Sequence, residues 1–168
     1  MLKYFFSFKN PHRHFIDIEF IVSNHHSNEL ILKLPAWRPG RYELANFAKN
    51  IQCFNVIDCE GNPLKFNKIN KDTWLVSTPN ISDIIVRYNY YANEINAGSS
   101  YLDESQLYVN PINCCLYIPN RIDEEHIVDL NIPNNYIIAC ALKQNKNQLI
   151  AISYDDLVEN PWIASPSI

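Results

Sequence analysis

Short segments with alternating apolar and polar residues dominate the sequence. Residues 14–22 read HFIDIEFIV, with the alternation in the first half, and residues 29–34 read ELILKL. Pro35 ends the second segment because proline cannot donate to a strand ladder. Alternation places successive side chains on opposite faces, as in a β-strand with one buried face. The further strand candidates are residues 51–58, 64–69, 73–77, 84–92, 112–118, 126–132, 136–141 and 148–152.

Turn and helix signals complete the fold prediction. Glu60-Gly61-Asn62 predicts a turn that joins residues 51–58 and 64–69 into a hairpin. Helical patterns are confined to residues 44–50 and 154–159, each long enough for one or two turns. About nine or ten short strands with turn residues at regular spacing predict an all-β fold, an antiparallel β-sandwich of immunoglobulin-like type.

Size, charge and glycine content exclude several classes of function. The chain has 168 residues, which is the size of one domain, and a formal net charge of -4, so it lacks the basic footprint of a nucleic-acid-binding protein. It has only 3 glycines, which excludes Rossmann fingerprints and P-loops. No apolar run reaches the roughly 18 residues of a membrane span. Neither nucleic acid nor a membrane is therefore expected as a partner.

The cysteines and the N-terminus indicate a reducing compartment. The 5 cysteines form no C-x-x-C pair, and Cys114 and Cys115 lie in an apolar run where free cysteine behaves as a small hydrophobe. They are interpreted as structural thiols. The first residues lack the basic region, the long apolar region and the cleavage site of a signal peptide. A cytoplasmic location is expected.

The residues themselves support no catalytic or metal-ligand assignment. His12 and His14 would share one face of a strand, but no third ligand is apparent and the chain contains no His-Glu-x-x-His. It also lacks a G-x-S-x-G elbow. The acidic runs at 103–104 and 123–125 are typical of solvated turns. A metal-binding enzyme built on the two histidines remains an alternative that elemental analysis would test.

Residues 34–51, LPAWRPGRYELANFAKNI, are the most informative stretch. Pro39-Gly40 is typical of a type II turn, in which glycine takes the positive φ. Two interpretations remain open: a rigid corner of the sandwich, or a surface that contacts another domain. The side chains assigned to that contact surface are Trp37, Arg38, Arg41, Tyr42 and Phe47.

This stretch resembles the N-terminal domain of the glycyl aminopeptidases, family sixty-one of the metallopeptidases. The matching residues in the stretch are Leu34, Pro35, Trp37, Pro39, Gly40, Tyr42, Phe47, Ala48 and Asn50. Further similarity lies at Lys71 and Trp74, in residues 86–94, in residues 101–110 and in the closing segment 154–161. Ala45 and Lys49 stand where many members carry arginine.

The resemblance implies the domain layout of a larger enzyme. Members are zinc-dependent aminopeptidases with a thermolysin-like catalytic domain, usually followed by a PDZ domain. Residues 1–160 would be the non-catalytic β-sandwich domain, and residues 161–168 would begin a linker to a missing catalytic domain. Zinc would belong to that domain and not to this chain.

The resemblance also suggests how this domain contributes to the enzyme. It would pack on the downstream catalytic domain and help to wall the cleft that receives a peptide substrate. The candidate substrate contacts are Tyr101, Asp103, Glu104 and Asn110. The alternative is a free-standing sandwich that binds a peptide or glycan through exposed aromatic side chains such as Trp37, Trp74 and Tyr101.

Overall fold

The computed structural model describes residues 1–38 and 43–167 as an almost entirely β-structured domain. Besides three short 3-10 turns and the helix α1 (Tyr154–Glu159), it has 14 strands in these ranges. The strands are β1 (Leu2–Ser7), β2 (Phe15–Val22), β3 (Glu29–Lys33), β4 (Ile51–Asp58), β5 (Phe66–Asn70), β6 (Thr73–Ser77), β7 (Ile84–Tyr91), β8 (Tyr101–Leu102), β9 (Leu107–Val109), β10 (His126–Asn131), β11 (Ile137–Cys140), β12 (Lys143–Asn145), β13 (Gln148–Ala151) and β14 (Trp162–Ser165).

The strands form three sheets. A seven-stranded sheet has the order β12-β13-β10-β1-β2-β7-β4, a four-stranded sheet β11-β14-β9-β8, and a three-stranded sheet β3-β6-β5. All pairs are antiparallel except β1 with β10. The predicted sandwich-like, all-β fold is confirmed, with more strands than the sequence pattern predicts.

One face of the seven-stranded sheet packs against both smaller sheets. Phe6 of β1 meets Trp162 of β14 edge-on, with ring centroids 5.3 Å apart. Phe54 of β4 stacks on Trp74 of β6 at 4.9 Å. Buried residues from all three sheets belong to a single hydrophobic core. Burying such aromatic side chains removes the largest apolar areas from water and stabilises the layered arrangement.

The predicted hairpin between residues 51–58 and 64–69 is confirmed only next to its turn, where Ile57 and Pro63 form an isolated antiparallel bridge and the Leu64 amide donates to Val56 O at 2.8 Å. Gly61 has a φ of 89°, and Asp58 Oδ1 accepts hydrogen bonds from the Glu60 and Asn62 amides at 2.9 and 2.8 Å. Beyond Leu64, however, the chain moves to another layer. β4 pairs with β7 in the large sheet, whereas β5 pairs with β6 in the three-stranded sheet.

The strand predicted at residues 112–118 is also wrong. Pro111–Asn113 form a 3-10 turn, and only an isolated bridge joins Tyr117 to Lys33. Three buried tyrosines take the place of a strand partner by donating to consecutive carbonyl oxygens of this segment. The bonds run from Tyr88 to Cys114 O at 2.6 Å, from Tyr154 to Cys115 O at 2.7 Å and from Tyr4 to Leu116 O at 2.6 Å. They satisfy buried acceptors that a strand would pair through its ladder.

The two helical predictions differ in outcome. α1 spans the predicted residues, because Ser153 caps it by accepting the Asp156 amide at 3.1 Å and Pro161 follows its end. In the 44–50 segment, only Phe47–Asn50 form a 3-10 turn. Residues 162–165, assigned to a linker from the sequence, form β14 between β11 and β9. No helix in the described ranges has the length and apolar character of a transmembrane span.

Candidate functional site

Two loops at one end of the sandwich form a polar cleft of about 220 Å³. The first loop follows β3 and leads into the 3-10 turn before β4, and the second follows β7. The Ala45 amide donates to Ala36 O at 2.7 Å and closes the neck of the first loop. Trp37 and Leu44, near this neck, are 59% and 75% exposed. Pro39-Gly40, Arg41 and Tyr42 lie outside the described residues.

Arg38 joins the first loop to the second. Its Nη1 donates to Ala97 O at 3.4 Å, and its guanidinium lies directly against buried Gly98. A Cβ at Gly98 would overlap the guanidinium, so a larger residue here would displace the Arg38 side chain from its contact with the second loop. Ser99 Oγ donates to Glu94 Oε2 at 3.0 Å and holds the second loop in shape.

A buried polar cluster supports the floor of the cleft. Asn113 Nδ2 donates to Gly98 O at 3.0 Å, and Ser100 Oγ donates to Asn113 Oδ1 at 3.0 Å. The Asn110 amide donates to Ser100 Oγ at 3.0 Å. All three polar residues are at most 8% exposed. Buried amides and hydroxyls paired in this way fix the backbone around them, so the cluster holds the second loop against the Pro111–Asn113 turn.

Charges of both signs line the cleft. Arg38 and Lys49 contribute positive charge, and Glu43 and Glu94 contribute carboxylates. Tyr90 closes one wall, where its hydroxyl accepts a hydrogen bond from Asn50 Nδ2 at 3.2 Å. Burial raises the pKa of Tyr90, so this hydroxyl stays neutral. Such a lining suits a ligand that presents both an ammonium and a carboxylate or amide group.

Three of the four candidate substrate contacts lie on the β8–β9 hairpin and not in the cleft. Asp103 Oδ1 accepts from the Ser105 amide at 2.8 Å, from Ser105 Oγ at 2.7 Å and from the Gln106 amide at 2.9 Å. Burial alone would raise the pKa of Asp103, but these hydrogen bonds outweigh it and lower that pKa. The carboxylate therefore holds the tight turn of the hairpin.

The neighbours of Asp103 are placed differently. Glu104 is exposed, and its backbone oxygen accepts from the Tyr136 hydroxyl at 3.1 Å. The Tyr101 ring lies 5.9 Å from the His14 ring. Partial burial, followed by the Asp103 charge, raises the pKa of Tyr101. Asn110 belongs to the buried cluster beneath the cleft.

Of the interdomain candidates, Trp37, Arg38 and Phe47 lie within the described residues. Trp37 is exposed, Arg38 spans to the second loop, and Phe47 is half-buried against the core. The sequence pattern did not point to Asn113 or to the contact of Gly98 with Arg38. For Asn113 a signal exists, because it is the only strongly polar side chain in the apolar run PINCCLYI. For Gly98, no local sequence feature predicts the contact with Arg38, which lies 60 positions away in the sequence.

The histidines do not form a metal site. His12 is exposed in a 3-10 turn, and His14 has left-handed backbone with its Nδ1 2.6 Å from Leu102 O. Within residues 1–38 and 43–167, no group of three or more His, Cys, Asp or Glu side chains is arranged to hold a metal ion. Zinc therefore does not fit the described part of this chain.

The sequence matches the model of the Peptidase M61 N-terminal domain over residues 3–166. The chain belongs to this family, and the resemblance in its sequence is confirmed. Its fold is similar to that of an aminopeptidase N family protein from Idiomarina loihiensis, known from a crystal structure, with a TM-score of 0.90 at 24% identity. The match covers 98% of this chain but only 29% of that protein. No curated protein matches the sequence.

Proposed function

We propose that this chain is the non-catalytic N-terminal domain of a zinc-dependent aminopeptidase and that it packs on the catalytic domain beside the substrate cleft. The family match over residues 3–166 carries this proposal. The similar protein from Idiomarina loihiensis supports it, because most of that protein lies outside the matched part. Zinc would be bound in the catalytic domain, and a PDZ domain would follow.

Exposed apolar side chains support the choice of docking surface. Trp37, Leu44 and Ile95 are 59%, 75% and 77% exposed, and all three lie on the two loops joined by Arg38. Large apolar side chains exposed on adjoining loops are typical of a surface that another domain covers. We expect this docking surface to become buried against the catalytic domain, with Arg38 and Phe47 at its base.

The polar cleft and the β8–β9 hairpin would then face the peptide substrate. Glu94 and Glu104 offer exposed carboxylates for a substrate ammonium, while Tyr101 and Asn110 would position the surrounding backbone. Asp103 would act mainly by shaping the hairpin, since its Oδ1 already accepts three hydrogen bonds.

The five cysteines are all unpaired, which supports a reducing compartment such as the cytoplasm.

Reading the gene beyond the codon for residue 168 is the first test. We expect an in-frame His-Glu-x-x-His within about the next hundred residues, as in enzymes with that helix motif. A stop codon directly after this position would contradict the proposal and would favour the free-standing binding module.

Substitutions in the longer protein test the substrate surface. We expect Glu104→Gln to raise KM for an unblocked peptide by about tenfold or more, because a hydrogen bond to a charged group is worth about 1.5–3 kcal/mol. Asp103→Asn should raise KM by loosening the hairpin. Glu60→Gln, in the exposed turn after β4, is the matched control. Unchanged kinetics in both test variants would contradict the assignment.

A separate pair of variants tests the docking surface. Leu44→Asp should lower the thermal stability of the longer protein while leaving the isolated domain unchanged, because the exposed side chain is buried only in the interdomain contact. Ile69→Asp, at a 54% exposed position on β5, should have no effect in either form. If Leu44→Asp and Ile69→Asp changed the thermal stability of the longer protein equally, this docking surface would be ruled out.

A further inference from the structure

The outer face of the seven-stranded sheet carries a row of isoleucines that crosses six adjacent strands. Register places one outward-facing residue of each strand opposite the next, starting at β13 and ending at β4. In this order the row reads Ile150, Ile127, Lys3, Ile21, Ile85 and Ile57. The outward positions of a half-buried antiparallel sheet are normally polar, so five isoleucines in one row require an explanation.

The row lies outside the core of the domain. Neither the hydrophobic core nor the half-buried apolar residues packed against it include any of the five isoleucines. The two smaller sheets cover the opposite face, through contacts such as that of Phe6 with Trp162. Each isoleucine is only partly shielded by its neighbours on the same face.

Apart from Phe5, the next row on this face is polar or charged. From β13 to β4 it reads Gln148, Asp129, Phe5, Glu19, Arg87 and Asn55. Within the row, Arg87 Nε lies 3.3 Å from Glu19 Oε2. Asp129 forms an ion pair with Lys3 of the isoleucine row and accepts from Gln148 Nε2 at 2.8 Å. The isoleucine row is therefore bordered by side chains whose positive and negative charges occupy fixed positions.

We propose that this face binds a second copy of the chain, related by a two-fold axis that runs parallel to the strands between β1 and β2. This axis places β10 over β7 and β13 over β4 of the second copy. Ile127 of one copy then faces Ile85 of the other copy across the two-fold axis. Ile150 of one copy likewise faces Ile57 of the other. In the polar row, Asp129 faces Arg87 of the second copy. An interface of this kind is isologous, so each contact occurs twice.

Charge order excludes a two-fold axis on β1 and is compatible with the axis between β1 and β2. With the axis on β1 itself, Lys3 would face Lys3 of the second copy. Between β1 and β2, Lys3 faces Ile21, and Glu19 faces Phe5. In the third row, Ser7 faces Asp17, so no like charges meet. Two twisted sheets pack face to face with strands within about 30° of each other, which this arrangement allows.

The area is sufficient for a specific contact. Strands about 4.8 Å apart make a row of six residues about 24 Å long, and three rows extend about 14 Å along the strands. Including the side chains at the margin, the patch covers roughly 700 Å² per copy, close to the roughly 800 Å² per partner of a standard interface. The face is separate from the loops of the proposed docking surface, so the two proposals fail independently.

Sedimentation equilibrium of the isolated chain tests the dimer. Its mass should rise with concentration from the monomer value of 19.6 kDa toward twice that value. Ile85→Lys should weaken the association by at least about tenfold, because it places a charge in the centre of the apolar row. Ile69→Lys, on the exposed β5, is the matched control and should leave it unchanged. Thermal unfolding verifies that each variant is folded.

A charge exchange tests the axis without altering the isoleucines. Asp129→Arg and Arg87→Asp should each weaken self-association. In either variant, positions 129 and 87 of the two copies carry the same charge where they face one another, and this contact occurs twice in the dimer. An equimolar mixture of the two variants should form a heterodimer in which both pairs are again opposite in charge. A chain that stays monomeric at high concentration, an association unaffected by Ile85→Lys, or a mixture that does not associate would each overturn the proposal.

Discussion

His126 is a fully buried histidine with one ring nitrogen that has no partner. Its Nδ1 lies 2.8 Å from Glu124 O, so Nδ1 carries the proton and donates. Nε2 is then an unprotonated nitrogen, enclosed by Tyr4 at 5.9 Å and Tyr154 at 5.6 Å between ring centroids. Burial lowers the pKa of His126, and the favourable contact with Glu124 only partly opposes this. Protonation would add a buried N–H without an acceptor.

This histidine should make the stability of the domain depend on pH. In the unfolded chain its pKa is about 6.5, and in the folded chain it is lower, so the unfolded state binds more protons in the interval between the two values. The free energy of unfolding should therefore decrease as the pH falls below about 6.5. Urea unfolding at several pH values should show a smaller decrease for His126→Gln. His25, whose pKa burial also lowers, is present in both proteins. Equal slopes would contradict this role.

The Cys114–Leu116 segment is the element whose backbone depends most on side chains. Tyr88→Phe should remove the hydrogen bond that Cys114 O accepts from the Tyr88 hydroxyl and leave this carbonyl oxygen in the core without that partner. A buried unpaired acceptor costs about 1–3 kcal/mol of unfolding free energy. Tyr91→Phe, on the outer face of the same strand at 39% exposure, should cost less than about 0.5 kcal/mol. Denaturant unfolding compares the two variants, and equal losses would show that the buried hydrogen bond is not stabilising.

Local sequence predicts the elements whose causes are local. α1 was predictable because Ser153 and Pro161 bracket it, and residues 51–58 because their strand pattern has a turn directly after it. Residues 112–118 look like a strand because they are apolar, yet their carbonyls are bound by tyrosines distant in sequence. In the site, the exposure of Trp37 is compatible with the contact surface proposed from the sequence, whereas the contact of Arg38 with Gly98 depends on how two loops meet.

The three sheets enclose one core, and this determines how the whole molecule should unfold. The three-stranded sheet is tied to the large sheet through Phe54 and Trp74, and the four-stranded sheet through Phe6 and Trp162. Because the buried residues form a single cluster, losing either small sheet exposes apolar surface of the large sheet to water. Within residues 1–38 and 43–167, neither small sheet has a second hydrophobic core that would hold it together alone.

We therefore expect one cooperative transition, which the buried tryptophans can report. Trp162→Phe leaves Trp74 as the buried reporter in the three-stranded sheet, and Trp74→Phe leaves Trp162 in the four-stranded sheet, while exposed Trp37 is common to both. In each variant, the fluorescence midpoint in urea should coincide with the midpoint of the far-ultraviolet circular dichroism. If the Trp74 signal changed at a lower urea concentration than the dichroism, the three-stranded sheet would unfold as a separate unit, and the single core would not couple the layers.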